Sequence, residues 1–372
     1  MFKNYVKTAW RNLLKNKFYT LINILGLTAG LTMGILILLW VQDENSFDSF
    51  HKQAASIYRL ENRVGTGAST QIWEKTVAPI GVMAKEELPE IKDVVRLTGN
   101  YNYELFKYKD KVFKEERTAY TDPSLFSVFD FKLIRGNNEK PFKDDNSIVI
   151  TAATAKRYFG DEDAIGKVIN AEDKINFTVT GVIKDFPKNS SINSDIFLPI
   201  SLLAKNMYEG KTGQNINNDF NQFSFETYLL LKPGITTAGL ADKIRNIHLH
   251  NKSDDTDILY LLQALPQMHL YKADGTDAGM ETVRMFFIIA LLILAIACIN
   301  YVNLSTARSM LRAKEISLRK IAGAARLQLF LQFIVETALL FVLCNLTCNS
   351  VYTFSHAFIQ RPVRKGIVIR PY

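Results

Sequence analysis

Four charged residues late in the chain have the spacing of a working surface. On one continuous helix, Arg308, Arg312, Glu315 and Arg319 fall within about 40° of Arg308 at roughly 100° per residue, while Ala307, Leu311 and Leu318 lie on another face. Lys314 and Lys320 flank this ridge. Guanidinium groups in such a row can dock a soluble partner through charge-assisted contacts with its carboxylates. The same row can also act as a retention signal that only fixes membrane orientation. Spacing alone leaves both readings open.

The remaining candidates for chemistry are weaker. Phe159-Gly160-Asp161-Glu162-Asp163-Ala164-Ile165-Gly166-Lys167-Val168 imitates a phosphate-binding loop, but five residues separate its glycines where four are needed. No Ser or Thr follows Lys167, and three carboxylates would repel a nucleotide, so a solvated turn is expected and this chain itself should not hydrolyse ATP. His248 and His250 lie in a helical pattern, where positions i and i+2 diverge, and no Cys or acidic cluster at ligand spacing joins them. Neither a metal nor a cofactor is expected. With no nucleophile elbow and no H-E-x-x-H pattern, the chain reads as non-catalytic.

Two features belong to apolar segments. Gly26, Gly30 and Gly34 form overlapping G-x-x-x-G units, which let another backbone approach closely where lipid removes the hydrophobic drive. Their partner is either another span of this chain or a second copy. Glu336 is an ionisable group near membrane depth, a functional candidate by default, with an interfacial carboxylate near the cytoplasmic end as the plainer account.

The elements that must position these residues follow from charge and hydropathy. Lys3, Lys7, Arg11, Lys15 and Lys17 precede the apolar run Tyr19 to Val41, and Asp43, Glu44 and Asp48 follow it. At about 1.5 Å per residue the run matches the thickness of a hydrocarbon core, and a helix satisfies its backbone there. Basic flanks stay cytoplasmic, so residues after Asp43 are expected outside. The run is longer than a signal-peptide core and ends in Leu39-Trp40-Val41-Gln42, not a small-x-small site. Residues 1–18 carry Phe2, Tyr5, Val6, Ala9, Trp10 and Leu13 opposite lysines and Arg11, the pattern of an amphipathic helix on the membrane surface.

The net charge of +8 in 372 residues gathers beside apolar runs, which points to anionic lipid and orientation and away from nucleic acid. Cys298, Cys344 and Cys348 lie in or next to the later apolar segments, and the long stretch after the first run contains none. That stretch needs no disulfide framework.

Its patterns are mixed. Strands are expected at Ile57 to Val64, Tyr103 to Tyr108, Val112 to Thr121, Ser147 to Ile150, Ile175 to Ile183, Phe223 to Leu231 and Ile258 to Ala264. Helices are expected at Thr76 to Leu88, Thr151 to Phe159 and Thr236 to His248, with Lys205 to Asn221 a loop between two lobes. The absence of a βαβ rhythm makes the class α+β. The expected plan is an amphipathic helix at 1–18, a first span at 19–42, a two-lobed domain at 43–283, a second span at 284–304, a cytoplasmic loop at 305–326, a third run at 327–346 and an atypical tail at 347–372. Three crossings would leave the basic tail outside, where it is disfavoured, so a truncated or frameshifted chain is expected.

Several of these segments resemble the MacB/FtsX-like ABC transporter permeases of the Bacteroidetes type. The match lies in Lys7-Thr-Ala-Trp-Arg-Asn-Leu-Leu-Lys-Asn-Lys17 with Ile22-Asn-Ile-Leu-Gly-Leu27, in Asn146 to Thr151 with Tyr158-Phe-Gly160 and Ile165-Gly-Lys167, and in Phe177 to Asp185 with Pro187 and Asn189. Arg312 to Lys320 followed by Gly323-Ala324, with Gln332, Phe333 and Glu336, completes it. The resemblance implies an inner-membrane permease with a large periplasmic core domain and a membrane block of three further spans. It also implies a separate dimeric ABC ATPase subunit, a second permease copy or half, and room for a periplasmic adaptor protein. Closure of the ATPase would pass through the loop after the second span, making Arg308, Arg312, Lys314, Glu315, Arg319 and Lys320 the coupling residues. Motion transmitted to the periplasmic domain would then export or extract a lipophilic or peptide cargo. The chain departs from the family pattern after about Cys344, where a fourth span is missing.

Two rival classes share parts of this layout. A membrane-anchored periplasmic sensor needs a long output domain after Leu304, where only residues 305–326 precede the next apolar run. A tethered periplasmic enzyme needs a convergent acid-base or nucleophile set, and none is readable.

Overall fold

The computed structural model describes residues 17–65 and 67–311, with single positions at 7, 10, 11 and 14 and scattered positions between 317 and 344. It divides into two units, one of membrane-type helices and one of mixed sheet and helix.

Helix α1 runs from Lys17 to Glu44 without a break. Among the described residues, two helical stretches are long and apolar enough to cross a membrane, Thr20–Glu44 and Met280–Ala307. A core helix of a soluble domain would cover its large side chains, yet Leu25, Met33, Ile288, Leu292 and Ile296 are all exposed. Lipid is the solvent that tolerates this.

The mixed unit is organised around one sheet that carries two lobes. The first lobe consists of β1 (Ile57–Val64), the short β2 (Gln71–Trp73) and β3 (Thr76–Val77), helix α2 (Ala78–Glu87) and β4 (Ile91–Gly99). The chain then leaves to build the second lobe from β5 (Leu105–Tyr108), β6 (Lys111–Lys114), β7 (Thr118–Thr121), α3 (Leu125–Val128), β8 (Leu133–Gly136) and β9 (Ser147–Thr151). That lobe continues through α4 (Ala152–Phe159), β10 (Val168–Ala171), β11 (Ile175–Ile183), β12 (Ile196–Pro199) and α5 (Ile200–Tyr208). The first lobe is completed by β13 (Phe223–Leu231), α6 (Leu240–Asn251) and β14 (Leu259–Ala264), and α7 (Met280–Leu311) follows.

Strands β14-β1-β13-β4 pair antiparallel in that order, the arrangement of a β-α-β-β-α-β ferredoxin-like unit, with the second lobe inserted between its second and third strands. The sheet passes from β4 to β7 and on through β12, β9, β11, β10, β5 and β6. Pairs β7 with β12 and β9 with β11 are parallel.

Both faces of this sheet are covered, and the alternation of side chains shows it. On β13, Leu229 joins a core with Leu60, Ile80, Ala84, Ile244 and Ile247 under α2 and α6, while Tyr228 and Leu230 point the other way. On β12, Ile196 and Leu198 join a core under α4 and α5 with Phe106, Tyr158 and Phe177, while Phe197 points to the opposite face. That opposite face is an aromatic slab of Phe126, Phe129, Phe131 and Phe142 which underlies both lobes. Burial on both sides explains why Ser147–Thr151 and Ile196–Pro199 are buried at every position.

Several sequence expectations change. The strand expected at Val112 to Thr121 is two strands, because Glu115 turns inward to Arg157 and Tyr158 and β7 pairs with β4 and β12 instead of β5. The helix expected from Thr236 begins at Leu240, after Gly239 in the left-handed region (φ 73°). The start of the expected Lys205 to Asn221 loop is the last turn of α5, whose Leu202 and Leu203 are buried and whose Met207 packs on the same core. Strands β2, β3, β4, β8, β10 and β12 are additional, and β3 takes the first two residues of the helix expected from Thr76. Helix α4 matches closely: Thr151 caps it, its hydroxyl accepting from the Thr154 N–H, and Gly160 at φ 66° ends it.

Candidate functional site

In the membrane unit the glycine face of α1 packs on α7. A Cβ placed on Gly30 would stand 2.5 Å from Ala297 Cβ, one on Gly34 2.7 Å from Leu294 Cδ2, and one on Gly26 3.2 Å from Asn300 Nδ2. At Gly30 the neighbour is a short, stiff Ala side chain, so a Cβ would have to displace the helix; at Gly34 the Leu294 side chain and at Gly26 the Asn300 amide would have to give way. Leu27 and Ala297 are buried beside Cys344, Tyr301 Oη and Thr337 Oγ1 are hydrogen-bonded at 3.0 Å, and Trp40 meets Phe286 edge-on at 5.0 Å. The sequence left the partner of this face open; in the structure it is a span of the same chain.

The coupling residues are placed less completely. Arg308 belongs to α7, which continues past the apolar run to Leu311, and Lys320 is helical and exposed. Arg312, Lys314, Glu315, Arg319 and Glu336 lie outside the described residues.

Where the chain enters the mixed unit, a set of residues not expected from sequence ties it down. His269 Nε2 bonds Glu44 Oε2 at 2.5 Å, and the Phe47 ring stacks on His269 with centroids 3.5 Å apart. Asp48, at φ 54°, donates its N–H to Asn189 O, and its Oδ1 accepts from the Ser191 N–H at 2.9 Å. His51 Nδ1 accepts from the Asp130 N–H, which places the ring proton on Nε2, and the ring packs edge-on against Phe129 and Phe131. Burial holds the His51 pKa below its ordinary value, so the ring is neutral. The entering and leaving segments are thus fastened together and to the aromatic slab. The clue was the cluster Phe47-Asp-Ser-Phe-His51 directly after the acidic flank of the first run.

A cleft of about 410 Å³ lies beside β1, lined by Arg59, Glu61, Glu74, Tyr271, Lys272 and Asp274 among others. Burial raises the Glu61 carboxyl while Arg59, 2.5 Å away, opposes the shift; Arg59 also donates to Gln263 at 3.2 Å. Its buried charges already have partners, so the cleft offers a polar recess and not a free acid or base.

The remaining sequence candidates resolve simply. His248 is buried with Nδ1 2.8 Å from Tyr260 Oη and Nε2 2.9 Å from Asp255, while His250 is exposed on a different face of α6. Lys167 pairs with Glu162 across the turn between Gly160 and Gly166, which both hold positive φ.

A family model, the MacB-like periplasmic core domain, matches residues 20–247. This chain belongs to that family. The MacB-like domain therefore sits on a membrane protein of the ABC transporter permease family. Among solved structures, a domain of a permease protein from Porphyromonas gingivalis is similar at 21% identity, with 57% of this chain and 92% of that one covered and a TM-score of 0.48. The periplasmic region of MacB from Actinobacillus actinomycetemcomitans is similar at 15% identity, covering 58% and 92%, with a TM-score of 0.40. The extracellular domain of the noncanonic ABC-type transporter YknZ from Gram-positive bacteria is similar at 12% identity, covering 56% and 99%, with a TM-score of 0.40. A comparison with curated proteins returns no match.

Proposed function

We propose that this chain is the non-catalytic permease subunit of an ABC transporter in the bacterial cytoplasmic membrane, a multi-pass protein with its MacB-like domain in the periplasm. A dimeric ATPase subunit docks on the cytoplasmic loop at 305–326 through Arg308, Arg312, Lys314, Glu315, Arg319 and Lys320. Nucleotide-driven closure of that ATPase moves α1 and α7, and the motion reaches the periplasmic domain, which exports or extracts a lipophilic or peptide cargo. A second permease copy or half completes the assembly. Such coupling requires the ATPase to bind two permease conformations with different affinity.

The single observation behind this reading is the MacB-like domain joined directly to apolar helices at both ends, with a basic segment after the second. Co-purification of the cognate ATPase with the wild type and with an Arg308→Glu, Arg312→Glu, Arg319→Glu triple variant tests it. We expect recovery to fall by about tenfold or more, because reversing charge at an interface turns attraction into repulsion. Unchanged recovery would remove the docking assignment.

A further inference from the structure

We infer that the domain binds a single neutral sugar ring in a recess where its two lobes join. The recess measures about 220 Å³, room for one small ring. Both chain crossings between the lobes supply its walls: Tyr101 and Asn102 follow β4 on the way out, and Gln222 precedes β13 on the way back. Tyr120 of β7 and Asn206 of α5 stand beside them. Leu203 and Met207 of α5, packed on the core beneath, give the recess an apolar base.

The lining selects the chemistry of the ligand. Among the described residues no charged side chain lines the recess, in contrast to the cleft beside β1 with its Arg59, Glu61 and Glu74. An ion entering it would shed water and meet no counter-charge. Amides and an aromatic ring are offered instead. Asn102 Nδ2 donates to Tyr120 Oη and Asn206 Nδ2 to Tyr103 Oη, each at 3.1 Å. These bonds orient both amides, and neither Oδ1 accepts from a described residue. Two free carbonyl oxygens and the exposed Gln222 amide suit hydroxyl groups, which both donate and accept. Tyr101 is 78% exposed, yet its Oη lies 3.3 Å from the place a Cβ on Gly99 would take. The ring is thus laid against the backbone of β4 and left open to solvent, as a shelf. The C–H face of a pyranose is weakly positive and stacks on the negative face of such a ring. A peptide fits less well, because β4 is already paired with β13 on one side and β7 on the other, leaving no strand edge for an extended chain to join. Binding here is a property of the domain and needs no motor.

Saturation-transfer NMR on the full chain in lipid nanodiscs, prepared free of sugar-based detergent, provides the test. The probes are glucose, galactose, mannose and N-acetylglucosamine, with glucuronate and glucosamine as charged counterparts. At least one neutral sugar should receive saturation at its ring protons, and neither charged one should. Tyr101→Ala should lower that signal about three- to tenfold, and Tyr101→Phe should retain it, since the ring and not the hydroxyl forms the shelf. Position 101 is exposed, so the melting temperature of the domain should not move. Gln222→Leu should lower the signal about two- to fivefold through loss of its hydrogen bonds. Silence from all four neutral sugars, a signal untouched by Tyr101→Ala, or equal saturation of glucuronate overturns the inference. A Tyr101-dependent signal from N-acetylalanine methylamide with none from the sugars overturns it too, and makes the recess a peptide site.

Discussion

The two units of this molecule are held together by different kinds of contact. In the mixed unit several buried charges are held by more than one bond: Arg96 reaches Asp122 and Asn217, and Glu115 accepts from both Arg157 and the Tyr158 hydroxyl, although Asp48 Oδ2, His51 Nε2 and Asn62 Oδ1 have no partner among the described residues. Glu115 needs these bonds because burial raises its pKa, and Arg157 opposes that rise. In the membrane unit the close contacts are backbone on small side chain, and Asn23 has no partner among the described residues. Paired charges fix directions at their site, whereas close packing of small residues fixes only distance. The domain relies on directional bonds, and the helix pair on close backbone approach.

Three changes test that contrast. The largest effect is expected in the slab: Phe197→Ala empties a fully buried site between the lobes and should destabilise the domain by about 4 kcal/mol in denaturant titration of the detergent-solubilised chain. A disulfide formed under mild oxidation between Trp40→Cys and Phe286→Cys should survive that change, and its loss would mean the two units do not fold independently. Gly30→Leu should act in the reverse sense, forcing α1 from Ala297 at a cost of about 1–3 kcal/mol while the domain's own transition stays in place. A shifted domain transition in that variant would contradict the division.

The smallest effect is one of pH and should belong to the domain alone. His51 and His248 are both held below their ordinary pKa by burial, so the unfolded chain binds their protons more readily than the native one. Their contribution is present above about pH 6.5 and declines as pH falls through the unfolded value toward the lower native one. Glu61 and Glu115, with raised values, oppose this only once the pH approaches the carboxylate range. The melting temperature should therefore drop between about pH 7.5 and pH 6, and His51→Gln should flatten part of the slope. An equally steep slope in His51→Gln would clear this histidine of the role.

Local patterns were legible in the sequence, and distant pairings were not. Strands β1 and β13 stand out because apolar residues bounded by turns mark them, and helix α4 because Thr151 and Gly160 punctuate it. Strand β4 was hidden, since Lys92, Asp93 and Arg96 interrupt its apolar run; Arg96 is buried there only because Asp122 and Asn217 arrive from elsewhere to receive it. The fastening of Glu44 and Phe47 to His269 was equally invisible, because its halves are joined only by the finished fold. Gly26, Gly30 and Gly34 announced a close approach, but nothing in their spacing named α7 as the surface approached.

The unbroken pairing of β4 with β7 has a practical side. A lobe spliced into another between two of its strands would ordinarily invite exchange as a cassette. Here the graft shares a hydrogen-bonded seam and an aromatic floor with its host, so excising residues 100–222 would expose a raw strand edge and strip one wall from what remained. Diversification of this domain should be sought in its loops and rims, with the join between the lobes inherited whole.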